Sequence, residues 1–240
     1  MKNNTSPILI KFGKKEHLEQ LKNGIVHFSS LETFQKDPTT FRGDSMEGKL
    51  LLDPSKPLLV NGKDISPYIQ RAVISYEVDC PLLSFSASML STSNCHKTPR
   101  GLYMINESFV NEMKQFGDHF LSFNAFAFIA ALSAEFSKTR CDYEYHPIAY
   151  IDKNNHLLIQ NHFSKLSEER RKFGYLFVKD TANSYLLQNE WRFVAFDIHS
   201  HYFKKDSRGT NVRTDFSTEM PVMDIESLRT LQCSGEFLYD

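Results

Sequence analysis

The segment Leu186-Leu187-Gln188-Asn189-Glu190-Trp191-Arg192-Phe193 places an amide, a carboxylate and a guanidinium at alternate positions of an apolar run. Read as part of a long strand, Tyr185 to Phe196, it projects Gln188, Glu190 and Arg192 to one face. Leu187, Trp191 and Phe193 then project to the other, where they anchor the strand. A carboxylate held on a core strand can bind a sugar hydroxyl and stabilise positive charge at a carbon losing its leaving group. The bland alternative is that Glu190 pairs with Arg192 or with a loop lysine on a solvated sheet face.

A second group lies in the loop Phe41-Arg42-Gly43-Asp44-Ser45-Met46-Glu47-Gly48. Arg42 and Asp44 between glycines suit a fork for a phosphate or a basic group, or equally a self-contained turn. A third group lies near the start of the chain. Lys11 and Phe12 end one strand, Phe28, Ser29 and Ser30 follow the next, and Phe34 comes soon after. Aromatics there could stack on a ring and serines could hold a ribose, although phenylalanines at such spacings are more often core. Ser91-Thr92-Ser93 falls in a polar loop, and His199 with His201 lacks a third metal ligand, so no metal site is expected. Cys141 and His146 have no nucleophile context. The basic clusters Arg170-Arg171-Lys172 with Lys165, and Lys204-Lys205 with Arg208, could touch RNA or DNA but more often form solvated faces.

The elements that must carry these residues read as an α+β arrangement. Strands are expected at Ile8–Phe12, Ile25–Phe28, Leu50–Leu52, Leu58–Val60, Ala72–Val78, Leu82–Ser86, Phe120–Phe123 and Tyr143–Ile151. Helices are expected at Lys15–Lys22, Leu31–Phe34, Glu107–Phe116 and Ala125–Lys138. Ser29-Ser30 looks like the cap of the Leu31 helix. Ala87–Arg100 and Ser200–Phe216 read as loops.

The 240 residues suit one domain, 1–240, of mixed, mostly antiparallel sheets flanked by helices. The 28 basic and 29 acidic side chains nearly cancel, so no global field draws the chain to nucleic acid or to an anionic membrane. The four cysteines form no C-x-x-C pair. The polar start lacks the apolar stretch of a secretory signal, and Phe123–Phe136 falls short of the roughly 20 residues of a membrane crossing. A cytoplasmic, non-membrane protein is the expectation.

Several of these pieces resemble a family of abortive-infection, phage-defence-associated bacterial proteins. They are Lys11-Phe12-Gly13, Gly24-Ile25-Val26-His27-Phe28-Ser29-Ser30-Leu31, Arg42-Gly43-Asp44 with Glu47-Gly48, and Phe177-Val178-Lys179 leading to Gln188-Asn189-Glu190-Trp191-Arg192. Their order is also similar to the ADP-ribosyltransferase fold, in which a late strand carries a Q-x-E or E-x-E glutamate. The resemblance implies NAD as a substrate and a protein or nucleic-acid acceptor, with an antitoxin or a phage protein as a further partner. Glu190 would orient the nicotinamide ribose, Gln188 would help position the acceptor, and Phe28 or Phe34 would stack on nicotinamide. Lys11 stands where such transferases usually have His or Arg, and Ser91-Thr92-Ser93 follows its strand instead of starting it. The other reading is a non-catalytic phage-defence sensor or interaction module, for which the 13% of aromatic residues would supply a surface.

Overall fold

The computed structural model describes residues 7–37, 48–52, 59–60, 62–68, 72–75, 82–152, 161–166, 174–181, 184–196 and 209–239. The first half runs β1 Ile8–Gly13, α1 Lys15–Lys22, β2 Ile25–Ser30, α2 Leu31–Lys36, β3 Lys49–Leu52, β4 Leu59–Val60, β5 Lys63–Asp64, β6 Ala72–Ser75 and β7 Leu82–Met89. It continues with β8 Cys95–Lys97, β9 Tyr103–Ile105, α3 Glu107–Met113, β10 His119–Asn124, α4 Ala125–Thr139, β11 Asp142–Pro147 and β12 Ala149–Ile151. The last elements are β13 Val178–Asp180, β14 Glu190–Phe196, β15 Gly209–Arg213, β16 Met223–Asp224 and β17 Gln232–Cys233, with short 3₁₀ turns between several of them. This is an α+β arrangement in which nearly all strand pairs are antiparallel; β12 and β13 pair in parallel.

The main sheet forks at β7. One edge of β7 is paired along its length, Leu82 to Ser88 against Phe196 to Glu190 of β14. The other edge is divided between two strands that both run antiparallel to it. Met89 and Ser88 pair with Leu9 and Ile10 of β1, whereas Ser84 and Leu83 pair with Ser29 and Ser30 of β2. Phe85, Ser86 and Ala87 fall between the two pairings. Beyond the fork β1 continues into β10 and β16, and β2 continues into β15. Helix α1 connects the two branches.

Local chemistry explains the connections. Helix α1 stops at Asn23 because Gly24, at φ +80°, takes the left-handed conformation that closes the last turn. A Cβ there would sit 2.5 Å from the Thr214 carbonyl oxygen, so the helix end is also a packing contact. Helix α4 begins where the Asn124 side chain accepts from the Ala127 N–H at 2.9 Å. Its Phe128, Leu132 and Phe136 pack on one face of the sheet against Phe28, Phe85, Trp191 and Phe193. A second core lies between the β1–β10 branch and α3, and a third joins Leu31 to residues 174–177 and to Val194 and Phe196 of β14.

Four expectations need correction. The strand foreseen from Tyr185 begins only at Glu190, because residues 184–188 form a 3₁₀ turn and Asn189, at φ +43°, breaks the extended run. The strand foreseen to end at Ser86 runs on to Met89, since the sheet on both sides offers partners to its last residues. Part of the supposed loop before Phe216 is β15, recruited by β2. The expected Tyr143–Ile151 strand divides at Pro147 and Ile148 into β11 and β12.

Candidate functional site

A cavity of about 520 Å³ opens at the fork, within the range that suits a small-molecule ligand. Its floor is the face of β7 and β14 opposite α4. Ser84, Ser86 and Ser88 alternate along β7, and their cross-strand neighbours on β14 are Val194, Arg192 and Glu190. The floor is therefore a row of hydroxyls beside a carboxylate and a guanidinium. The side walls come from the diverging strands: Lys11 and Phe12 on β1, His27 and Ser29 on β2. Helix α1 supplies His17 and Gln20, α2 supplies Phe34, and Met113 with Phe116 closes the α3 side.

Glu190 is the electrostatic centre. It is 6% exposed, and its Oε1 accepts from Ser86 Oγ at 2.6 Å, Arg192 Nε at 3.0 Å and Arg192 Nη2 at 2.7 Å. Lys179, from β13, places its Nζ 2.6 Å from Oε2. Burial alone would raise the Glu190 carboxyl. The Arg192 guanidinium and the Lys179 ammonium, with hydrogen bonds from Lys179 and Ser86, outweigh that and hold it well below the usual carboxylate range. Arg192 is itself fixed by donating from Nη1 to the Leu176 carbonyl at 2.7 Å. The result is a buried, ionised triad with two cations for one anion.

Two further features mark the floor. The Lys11 ammonium crosses the fork to donate to the Ser86 carbonyl, and it lies 4.7 Å from the centre of the Phe85 ring. A side-chain hydrogen bond thus occupies the gap where β1 has left β7. Ser84 Oγ is buried, at 2% residue exposure, and makes no hydrogen bond. An orphaned buried hydroxyl costs about 1–3 kcal/mol, so one that faces a cavity is a group suited to a ligand.

The residues singled out from the sequence divide into three sets. Lys11, Phe12, Ser29, Phe34, Gln188 and Glu190 border this one cavity. Phe28 and Ser30 do not. Phe28 is fully buried, with ring centroids 5.5 Å from Phe136 and 6.0 Å from Phe193, so it is a core residue and no ring can stack on it. Ser30 is the N-cap of α2, its Oγ accepting from the Thr33 N–H at 3.3 Å. Arg42 and Asp44 lie outside the described residues, as do His199 and His201.

Ser91 and Ser93 bond to each other at 2.6 Å, away from the cavity floor. Ser91 Oγ also accepts from Asn189 Nδ2 at 2.9 Å, which ties this loop to the left-handed turn just before Glu190. Cys141 is a core residue whose thiol meets the Phe196 carbonyl at 3.2 Å. Sequence reasoning missed the hydroxyl row at 84, 86 and 88 and the role of Lys179. The signal for the first was present: serine at every second position of a strand puts all three hydroxyls on one face. Nothing local marks Lys179, whose partner is supplied only by the fold.

Among the described residues no group of three or more His, Cys, Asp or Glu side chains is placed to hold a metal ion. Nor is any described helix long and apolar enough to cross a membrane. No family model, no curated protein and no solved structure matches this chain.

Proposed function

We propose that this protein is an ADP-ribosyltransferase-type toxin or phage-defence effector of the cytoplasm, which transfers ADP-ribose from NAD to a macromolecular acceptor. The observation that carries the reading is the ionised Glu190 on the floor of a forked-sheet cavity, beside a row of serine hydroxyls. The forked sheet, in which the early β1–α1–β2 unit flanks β7 on one side and β14, opening at Glu190, flanks it on the other, supports a relation to the ADP-ribosyltransferase fold.

The residues present fit a dinucleotide. Lys11, Lys179 and Arg192 supply positive charge for a pyrophosphate. Ser84 and Ser29 are placed to meet ribose hydroxyls, and the half-buried Phe34 offers a ring edge or face at the mouth. When bound, NAD supplies an activated glycosidic carbon whose leaving group is neutral nicotinamide. Glu190 contributes fixed negative charge near that carbon at no cost of reorganisation, because Ser86, Arg192 and Lys179 already hold it. Gln188, buried at the end of the 3₁₀ turn two residues before it, would help position the acceptor.

A second reading is favoured by one specific observation. Both oxygens of Glu190 are already bonded within the protein, and the neighbouring charge is net positive, which is better suited to binding an anion than to stabilising a cation. On that reading the protein is a non-catalytic sensor that binds a nucleotide-like ligand. Titration with NAD, followed by measurement of nicotinamide release, separates the two. Release abolished in Glu190→Gln supports the transferase; saturable binding without release supports the sensor; no binding at all sinks both.

A further inference from the structure

The walls of the cavity nearest to solvent differ in chemistry from its floor. Lys14, at the N-cap of α1, and His17 and Gln20 on the helix line the cavity and are exposed to solvent. His27 on β2 and Asn211 on β15 line the same cavity and are exposed cross-strand partners, with His27 Nδ1 2.8 Å from Asn211 Oδ1. Phe34 and Phe116 line the same cavity and are half-buried. Among the described lining residues Glu190 is the one carboxylate, and it is engaged by Arg192, Lys179 and Ser86.

This distribution bears on the acceptor. A guanidinium or ammonium acceptor entering a partly desolvated mouth needs an opposing carboxylate, and without one its burial is unfavourable. The cations at this cavity would repel it as well. A nucleobase has the opposite needs. It is neutral and planar, stacks on aromatic rings, and presents donor and acceptor edges that Asn and Gln side chains read. Its flanking phosphates are attracted to lysine.

Resting on the transferase reading above, we propose that the acceptor is an unpaired base of a single-stranded nucleic acid, gripped at the mouth by Gln20, His27, Asn211 and Lys14. In the reaction a base nitrogen bearing hydrogen forms a bond to C1′ of the nicotinamide ribose. The C1′–N bond to nicotinamide breaks, its electron pair neutralising the pyridinium, and the proton leaves the base nitrogen for water. The products are an ADP-ribosylated base, nicotinamide and a proton. A duplex hides the Watson–Crick edges and stacks the ring faces of its bases, so single strands are preferred.

The test has two independent arms. In the first, without NAD, fluorescein-labelled single-stranded DNA and RNA 20-mers of mixed sequence, the corresponding duplexes and an arginine-rich peptide are titrated and followed by anisotropy. The expected result is single-strand binding at least tenfold tighter than duplex or peptide binding. Asn211→Ala and Gln20→Ala should each weaken it several-fold at unchanged melting temperature. Lys14→Ala should lower the slope of log affinity against log salt by about one. Peptide binding in preference to oligonucleotide, or oligonucleotide affinity indifferent to all three substitutions, overturns the proposal. In the second arm NAD labelled in its adenylate phosphate is added to the same mixtures. Label in the oligonucleotide is the expected result, and label in the peptide alone overturns the inference. NAD affinity is measured on the same samples, so a failure of NAD to bind is recognised as the failure of the transferase reading itself.

Discussion

Lys179 reaches from a three-residue strand outside the main sheet to place its ammonium 2.6 Å from Glu190 Oε2, while Arg192 holds the other oxygen from two residues along the same strand. All three side chains are nearly inaccessible to water. Removing Glu190 leaves two buried cations without their shared partner, which costs about 3–5 kcal/mol, and removing Lys179 leaves Glu190 to Arg192 alone, at a smaller cost. Lys179→Met and Glu190→Gln are therefore expected to lower the urea midpoint substantially. The double variant should be less destabilised than the sum of the two, with a coupling above about 1 kcal/mol. Additive effects would show that Lys179 and Glu190 do not interact.

The same triad predicts a pH dependence. The Glu190 carboxyl is depressed in the folded protein relative to about 4.3 in an unfolded chain. Its contribution to stability is thus present in full above pH 4.3 and is lost as the pH falls from there through the lower folded value. Between pH 5 and pH 3 the wild type should lose more stability than Glu190→Gln. Parallel loss in the two proteins would mean that the carboxyl is not held ionised by its neighbours.

The contrast between Glu190 and Phe28 shows what could be read from the chain. Alternation of polar and apolar residues identified the strand face of Glu190 and Arg192, and the short apolar runs, with Gly24 as punctuation, identified β1, α1, β2 and α4. The positions at which strands join were not legible, since pairing between β7 and both β1 and β2 depends on contacts far apart in sequence. That is why Phe28 was grouped with ligand-facing residues: period-2 alternation tells that Phe28 and Ser29 point oppositely, but not which side holds the cavity. The shared face of the serines at 84, 86 and 88 was legible from their spacing, but their neighbours Arg192 and Glu190 come only from the pairing of β14 with β7, and the partner of Lys179 only from the approach of β13 to β14.

Asn189 occupies positive φ next to Glu190 and is held there by its side chain, which donates to the Met89 carbonyl and to Ser91 Oγ. Its backbone also bonds to Met89 N–H at 2.9 Å. Asn189→Gly keeps the backbone conformation and should cost little beyond those hydrogen bonds, roughly 1 kcal/mol. Asn189→Val adds left-handed strain to the same loss and should cost about 2–4 kcal/mol in all. Equal destabilisation by glycine and valine, measured by urea denaturation, would show that the turn is not constrained in this way.

Gly24 offers a sharper steric case. Its φ of +80° is strained for any residue with a side chain, and an added Cβ would meet the Thr214 carbonyl at 2.5 Å and the Phe216 carbonyl at 2.7 Å. The Thr214 N–H donates to the Gly24 carbonyl at 2.8 Å, so the turn cannot move away without releasing the end of β15. Gly24→Ala should cost at least 2 kcal/mol, on the order of 4–8 °C in melting temperature for a chain of this size. Because β15 carries Asn211 at the cavity mouth, the same substitution should also weaken ligand binding. Unchanged melting would rule out the close approach.

Cys95 lies in the α3 core, and burial, with the nearby Cys233, pushes its thiol up to about 12. Only the thiolate is a competent nucleophile, so native Cys95 should resist iodoacetamide at pH 9 while the urea-unfolded chain, with a thiol near 8.5, reacts readily. Peptide mapping of the Cys95 fragment isolates this thiol from the other three. The linkage has a definite sign. Because the folded pKa is the higher one, the stability gained by keeping the thiol neutral is complete below about pH 8.5 and declines as the pH rises from there toward 12. Cys95→Ala should therefore lose less stability than the wild type between pH 8 and pH 10, even though the cavity it leaves makes it the less stable protein at pH 7. Rapid labelling of Cys95 in the native state, at a rate matching the unfolded chain, would show instead that the β8–β9–β17 sheet opens readily and that the second core does not shield it.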